Sequence, residues 1–317
     1  MKSKGFHPTE IIFSTTTACN LHCEHCFINR QPNKLEIADA IRLIENCVES
    51  GGQPGPDGKP LPVIERIGFS GGEPFLYMDF LIEVTKAAIS HDLMFDQIMT
   101  NGDWWQDEAD LTDKLQKLYD AGYDGKIGLS WDSYHGQTTG RMETFIQKVQ
   151  EIFGEDSINI QTVEDQGALR GAEPPVEGVA SDEVRARGRL SPPEIPVYTL
   201  PRTYTSDDPR AWQARHWFRE DYCQGPGNIL YVHADGKIAP CCGFANENPQ
   251  LFIGTIHDNF EKIMQNAADN PIVKICYEEG LSHYRRHGLK KCLRLQGKKL
   301  PGTTDDICTF CDFVCKL

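Results

Sequence analysis

The chain has 317 residues and a formal net charge of −14. Its apolar share of 39% is enough for a packed core and argues against a disordered protein. The acidic balance argues against nucleic acid or an anionic membrane as a partner, because phosphate groups are bound by clustered Lys and Arg side chains.

Compartment and cysteine usage narrow the class of protein further. No segment approaches the roughly 18 consecutive apolar residues of a membrane helix, and the N-terminal stretch lacks the apolar core of a secretory signal. We therefore predict a cytoplasmic protein. Disulfides are disfavoured in that compartment, so the grouped members of the twelve cysteines indicate a metal or redox site. Cys47 and Cys276 lie apart on apolar helical patterns and are predicted to be buried.

Strand-like and helix-like segments alternate through the first half of the chain. The predicted strands are 10–15, 64–70, 96–100, 126–131 and 157–163, and the predicted helices are 34–51, 77–92, 110–122 and 142–154. Repeated strand–helix units indicate a parallel sheet flanked by helices, either a barrel or a doubly wound sheet. In both folds the ligand sites form at the carboxyl ends of the strands.

Two stretches interrupt this pattern. Residues 51–62 form a Gly/Pro-rich loop, and residues 164–210 are Pro-rich and aperiodic, which is typical of a functional loop, a lid or a disordered segment. The later chain changes in character: residues 228–242 predict a hairpin, and 259–269 and 271–288 predict helices. We therefore place a domain boundary near residue 210, between a core of 1–210 and a smaller domain of 211–317.

Three cysteines follow the first predicted strand directly, with the spacing C-x3-C-x2-C (Cys19, Cys23 and Cys26). Three protein ligands would leave one iron of a [4Fe–4S] cluster open to a small molecule. The alternative is a zinc knuckle that borrows a distant fourth ligand, such as His22 or His25.

The sequence GGEP (71–74) follows the second predicted strand, and the two motifs together resemble radical S-adenosylmethionine enzymes over about residues 8–165. The resemblance implies an α/β fold with a partial (β/α)6 TIM-like barrel. It also implies that S-adenosyl-L-methionine binds the open iron through its amino and carboxylate groups. Its reductive cleavage would give a 5′-deoxyadenosyl radical that abstracts hydrogen from the substrate, with the electron supplied by a donor such as flavodoxin or ferredoxin.

The resemblance also assigns cofactor-binding residues. They are Gly71, Gly72, Glu73, Pro74, Asn101, Ser130, Asp132 and Phe27. The glycines would let the backbone approach the ligand closely, Glu73 would accept from its ammonium group, and Asp132 would hold ribose hydroxyls. The family usually has Tyr, Phe or Trp just before the third cysteine, whereas this chain has His25.

A second group of cysteines lies in the C-terminal third of the chain. Gly236 precedes Cys241 by five residues, and Cys308 and Cys311 form a C-x2-C pair. The pattern resembles the Twitch module, a shortened SPASM domain, which implies a small α+β domain of a β-hairpin plus helices with one auxiliary [4Fe–4S] cluster. Cys315 or Cys292 could replace one ligand, and a zinc ribbon would use the same set. The implied ligands are Cys223, Cys241, Cys308 and Cys311.

Cys242 is adjacent to an implied ligand, so it is either a spare buried cysteine or a thiol that donates a hydrogen atom. The whole pattern resembles radical peptide epimerases of the epipeptide type, in which such a thiol returns hydrogen to the opposite face of an amino acid's α-carbon. The resemblance implies a peptide substrate, although a small molecule stays possible. The alternatives are a radical dehydrogenase or a peptide cross-linking enzyme that uses the auxiliary cluster as electron acceptor, and a non-catalytic iron–sulfur or zinc scaffold.

Overall fold

The computed structural model describes residues 5–28, 31–55, 58–164, 195–223 and 227–317. The chain divides into two compact units. We call residues 13–41 and 66–202 the sheet unit, and residues 1–12, 42–65 and 203–317 the C-terminal unit. The domain boundary expected near residue 210 stays a prediction.

The sheet unit is built on parallel strands joined by helices. Its strands are β1 (Glu10–Ser14), β2 (Arg66–Ser70), β3 (Met94–Thr100), β4 (Lys126–Ser130), β5 (Ile158–Glu164) and β6 (Val197–Pro201), and its helices are α1 (Ile37–Ser50), α2 (Met78–Ser90), α3 (Glu108–Asp120) and α4 (Thr139–Phe153). The strands lie side by side in chain order, and β2 through β6 pair in parallel. The predicted α/β class with a parallel sheet is confirmed, and the barrel is partial. The boundary between the two units falls within β1 and within α1.

The hydrophobic pattern explains why these segments form these elements. The central residues of β2 and β4 are buried in succession, as expected for parallel strands that are covered on both faces. On the helices, buried residues recur every three or four positions and so form one apolar face. On α4 that face is Met142, Phe145, Ile146 and Val149.

The sixth strand corrects the expectation from the sequence that residues 164–210 are irregular throughout. β6 pairs in parallel with β5, from Ile160 opposite Val197 to Glu164 opposite Pro201. The strand has no recognisable apolar periodicity because it is short, its Leu200 is exposed, and prolines lie before it and at its end (Pro196 and Pro201). Residues 165–194, including the basic stretch ARGRL (186–190), lie outside the described residues.

The C-terminal unit contains an antiparallel sheet and short helices. Its strands are β7 (Gly227–Val232), β8 (Lys237–Cys241) and β9 (Gly254–Thr255), and its helices are α5 (Phe260–Asp269), α6 (Pro271–Lys274), α7 (Leu281–His287), α8 (Leu289–Gln296) and α9 (Ile307–Cys315). The predicted hairpin is confirmed, with Gly236 in its turn at φ +82°.

The helix predicted over 271–288 is interrupted in the structure. A π-helical turn, Ile275–Glu279, follows α6 and ends at Gly280, whose φ of +91° breaks the helix. Neither α8 nor α9 is among the predicted helices. The C-x2-C pair lies on α9. Within the described ranges, no helix is long and apolar enough to cross a bilayer.

Candidate functional site

The sheet unit has a cavity of about 240 Å³ at the carboxyl ends of its first four strands. The three cysteines of the first cluster all line it, and Ile28, Met99 and Thr100 contribute apolar or small side chains. The predicted site residues in its wall are Cys19, Cys23, Cys26, Gly71, Gly72, Asn101 and Ser130. The tertiary structure therefore brings together residues from four separate strand ends, as the parallel fold requires.

The cysteine loop after β1 is held by short-range backbone contacts. The N–H of Cys26 donates to the carbonyl of Cys23 at 3.3 Å, and the N–H of Leu21 lies 3.4 Å from the Cys19 sulfur. The side-chain amide of Asn101 also reaches that sulfur, at 3.7 Å. Burial raises the pKa of Cys19, so its thiolate form needs a compensating positive centre.

The glycines of GGEP allow two loops to approach each other. Gly71 has φ +135°, and a Cβ at this position would lie 2.7 Å from the carbonyl oxygen of Thr16. A Cβ at Gly72 would overlap the carbonyl oxygen of Ala18. Two backbone hydrogen bonds fix this close approach. The N–H of Gly72 donates to the carbonyl of Thr16 at 2.7 Å, and the N–H of Glu73 donates to the carbonyl of Ala18 at 2.8 Å. The loop after β2 is thereby docked on the cysteine loop, and contact of these glycines with a cofactor stays a prediction.

Glu73 is fully buried and does not line the cavity. One carboxylate oxygen accepts from the N–H of Phe75 at 3.1 Å and from the hydroxyl of Thr100 at 2.8 Å, and the other accepts from the N–H of Asn101 at 2.8 Å. Burial raises the pKa of Glu73 to about 7 in spite of these hydrogen bonds. In this structure Glu73 joins the end of β2 to the end of β3, and its role as acceptor for an ammonium group stays a prediction.

Asp132 is also committed to internal hydrogen bonds. One oxygen accepts from the N–H of Tyr134 at 2.9 Å and pairs with His135 at 2.7 Å, and the other accepts from the N–H of Val163 at 3.1 Å. Burial lowers the pKa of His135, but its hydrogen bonds with Asp132 and Cys23 outweigh burial and raise it to about 9. His135 lines the cavity, whereas Asp132 does not. His135 is not among the predicted site residues, because only the tertiary structure brings it to the cysteine loop.

His25 occupies the position where the resemblance predicts an aromatic ring. Its ring lines the cavity and contacts His135 at 4.9 Å and Tyr134 at 5.3 Å between centroids. Burial lowers the pKa of His25. The ligand atoms of His25, Asp132 and His135 lie within 4.8 Å of one another, so these side chains have the chemistry of a metal site. Of the other predicted cofactor residues, Pro74 is buried at the start of a helical turn and Phe27 is half-buried; neither lines the cavity.

The second cysteine group lies entirely within the C-terminal unit. All four predicted ligands line one internal cavity there, and Cys276 joins them. The pKa of each of the four is raised, that of Cys223 to about 11. Burial is the main cause for Cys223, Cys241 and Cys308, whereas for Cys311 the hydrogen bond that it shares with Cys276 has the larger effect. Cys292 and Cys315 do not line this cavity, and Cys242 is exposed.

Both donor sets fit iron–sulfur chemistry. In the sheet unit, three thiols share a cavity with small and polar residues and, among the described lining residues, with no fourth thiol. This matches a cluster with one open position. In the C-terminal unit, five thiols line one cavity, four of them buried and that of Cys308 half-buried, which is enough for a fully ligated cluster. Buried thiolates without a metal would be costly, so the burial of the second set favours metal ligation there.

No family model matches the chain. The chain is 20% identical over 301 residues to the putative peptide biosynthesis protein YydG of Bacillus subtilis (strain 168), an alignment that covers 92% of this chain and 88% of that protein. It is 30% identical over 146 residues to the S-adenosylmethionine-dependent nucleotide dehydratase RSAD2 of Oncorhynchus mykiss, which covers 43% of this chain and 36% of that protein.

Among solved structures, native anSMEcpe with bound AdoMet matches with a TM-score of 0.54 at 13% identity, covering 92% of this chain and all of that one. At this identity the likeness concerns the fold.

Proposed function

We propose that this chain, whose homologues are radical S-adenosylmethionine proteins, is a radical S-adenosylmethionine enzyme that epimerises residues of a ribosomal peptide. The observation that supports the radical chemistry is the cavity in which Cys19, Cys23 and Cys26 meet the GGEP loop. Similarity along almost the whole chain to a putative peptide biosynthesis protein supports a peptide substrate.

The residues of the sheet unit would hold and orient the cofactors. The three cysteines would ligate a [4Fe–4S] cluster with one open iron, and S-adenosylmethionine bound there would supply a radical that removes hydrogen from the substrate. The side-chain amide of Asn101 and the hydroxyl of Ser130 face the same cavity and can hydrogen-bond a polar ligand. Glu73 and Asp132 hold the loops in place through the contacts described above.

The residues of the C-terminal unit would hold the auxiliary cluster. Cys241 ends β8 and is buried against the second cavity, while the next residue, Cys242, is exposed. Electrostatic effects of Cys242 on Cys223 and Cys308 indicate that its thiol lies beside the same group of ligands. Cys242 is thus an accessible thiol next to a proposed redox centre.

We assign Cys242 the role of hydrogen-atom donor. Its S–H bond would break as a new C–H bond forms on the substrate's α-carbon, leaving a sulfur radical on Cys242. One electron and one proton then restore the thiol, and a flavodoxin- or ferredoxin-type donor would provide the electron. This balance distinguishes epimerisation from dehydrogenation, in which the substrate radical loses an electron and no thiol is needed.

The radical chemistry is tested by reductive cleavage of S-adenosylmethionine. After anaerobic reconstitution and reduction with dithionite, we expect the wild-type protein to release 5′-deoxyadenosine. Cys23→Ala should release none, because it lacks a ligand of the first cluster. Cys47→Ala, at a buried cysteine outside both cavities, is the matched control and should behave as wild type. Bound zinc with no cleavage in the wild type would exclude the proposal.

The epimerase assignment is tested in D2O with a defined pool of synthetic peptides, followed by acid hydrolysis and chiral amino-acid analysis. We expect D-residues that carry deuterium at the α-carbon, because a thiol exchanges its hydrogen with solvent. Cys242→Ala should abolish the D-residues and still form 5′-deoxyadenosine. Products that are two mass units lighter, unchanged by Cys242→Ala, would favour dehydrogenation or cross-linking.

A further inference from the structure

The π-helical turn between α6 and α7 places two consecutive side chains at the second cysteine cavity. Cys276 and Tyr277 are both 3% exposed, and both line the cavity. The Tyr277 hydroxyl donates to the carbonyl of Pro240 at 2.8 Å and accepts from the N–H of Asn228 at 3.2 Å. Tyr277 is therefore anchored to both strands of the hairpin, which fixes the position of Cys276 beside it. Single π-helical turns within helical segments frequently occur at functional sites.

Cys276 lies against one of the proposed cluster ligands. Its sulfur is 3.7 Å from that of Cys311, within hydrogen-bond distance for a thiol pair. Each thiolate of a cubane binds its own iron, so two ligands of one cluster do not lie in direct sulfur–sulfur contact. In this arrangement only one of the two thiols is a ligand. Cys311 belongs to the C-x2-C pair on α9 and is therefore taken as the ligand. Cys276 is then the thiol that does not bind the cluster.

We propose that Cys276 donates an S–H hydrogen bond to the Cys311 sulfur and thereby raises the reduction potential of the auxiliary cluster, an inference that rests on the cluster assigned under the proposed function. A ligating cysteine is a thiolate, so the remaining proton of the pair must be on Cys276. A donor hydrogen next to the cluster stabilises the added negative charge of the reduced state. Hydrogen bonds to the sulfurs and burial are among the factors that set the potential of such clusters.

Cys315 also contacts Cys311, through the next turn of α9. It does not line the cavity, whereas Cys276 does. Cys315 is an alternative ligand on the sequence pattern alone. The iron content of Cys315→Ala distinguishes that alternative from the ligand set proposed above. If Cys315 is not a ligand, Cys315→Ala retains the iron of the auxiliary cluster.

The test uses the full-length chain with Cys19, Cys23 and Cys26 replaced by Ala, so that the auxiliary cluster is the only one present. In this background we compare Cys276→Ala, Cys276→Ser and the control Cys47→Ala, which also replaces a fully buried cysteine of the C-terminal unit. Iron and sulfide content and EPR-monitored redox titrations are the readouts. We expect unchanged iron in all three variants. The midpoint potential should become more negative in Cys276→Ala, shift less in the same direction in Cys276→Ser because its hydroxyl can still donate, and stay unchanged in Cys47→Ala.

Two results would overturn the assignment. A potential in Cys276→Ala equal to that of Cys47→Ala would show that Cys276 makes no electrostatic contribution. Loss of the cluster's iron in Cys276→Ala, with iron retained in Cys311→Ala, would make Cys276 the ligand. If the background chain itself binds no iron, the auxiliary cluster is absent, and this failure of the proposed function is distinct from both results.

Discussion

Gly72 is the residue at which the smallest change should have the largest local effect. A methyl group there would overlap the Ala18 carbonyl, which belongs to the loop that carries Cys19. We expect Gly72→Ala to displace this loop and to lose the iron of the first cluster while retaining that of the second. Iron content after anaerobic reconstitution measures the effect.

The matched control is Gly140→Ala on α4, where an added Cβ meets nothing within 4 Å. This variant should bind as much iron as the wild type. Full iron content in Gly72→Ala would show that the docking of the two loops is not needed for the first cluster.

Glu73 should make stability depend on pH. Its pKa of about 7 in the folded chain lies above the ordinary 4.5, so the folded state binds the proton more tightly and stability rises as the pH falls from about 7 towards 4.5. The full effect is at most about 3 kcal/mol. Glu73→Gln removes this titration and also leaves an amide N–H₂ facing a donor, so it is less stable throughout.

Thermal unfolding of both proteins at pH 6 and pH 8 measures this effect. We expect the melting temperature of the wild type to exceed that of Glu73→Gln by more at pH 6 than at pH 8. Parallel pH profiles of the two proteins would show that the buried carboxyl does not titrate in this range.

At the scale of elements, helix α9 carries two proposed ligands of the auxiliary cluster close to its N-terminus. Asp306 caps this helix and accepts from the N–H of Cys308 at 2.7 Å and from that of Thr309 at 3.3 Å. Asp306→Ala should loosen the first turn, cost about 1 kcal/mol of stability and reduce iron at the second cluster. Asp306→Asn retains the capping oxygen and should retain the iron.

A cap of similar geometry in the sheet unit provides the control. Asp107 caps the N-terminus of α3 and accepts from the N–H of Asp110 at 2.9 Å. Asp107→Ala should lower stability by a similar amount without changing iron content. Equal iron in Asp306→Ala and the wild type would mean that the cluster does not depend on the order of this turn.

For the whole molecule, the two cysteine groups lie in different compact units, so their metal contents should be independent. We expect about eight irons per wild-type chain and about four after either Cys23→Ala or Cys241→Ala, because each cubane holds four. Colorimetric iron and sulfide assays with zinc measured in parallel provide the test. Four irons in the wild type, with zinc at the second site, would favour the zinc-ribbon alternative.

The sequence by itself determined the α/β class, most of the elements and the first cavity's principal residues. Cys19, Cys23, Cys26 and the GGEP loop follow successive strands, and parallel strands carry their following loops to one edge of the sheet. The chemistry of these residues is thus encoded by short spacings and by strand order. Periodicity failed at β6, where pairing with β5 rather than an apolar pattern holds the strand.

Only the tertiary structure decided which residues support these groups. Glu73 is turned into the protein to join two strand ends, His135 reaches the cysteine loop from beyond β4, and Cys276 meets Cys311 across a separation of 35 residues. Such contacts depend on long-range packing and on a π-helical turn that shifts the helical register. Local sequence patterns do not specify contacts of this kind, because they record which residues share a face of one element and not which elements meet.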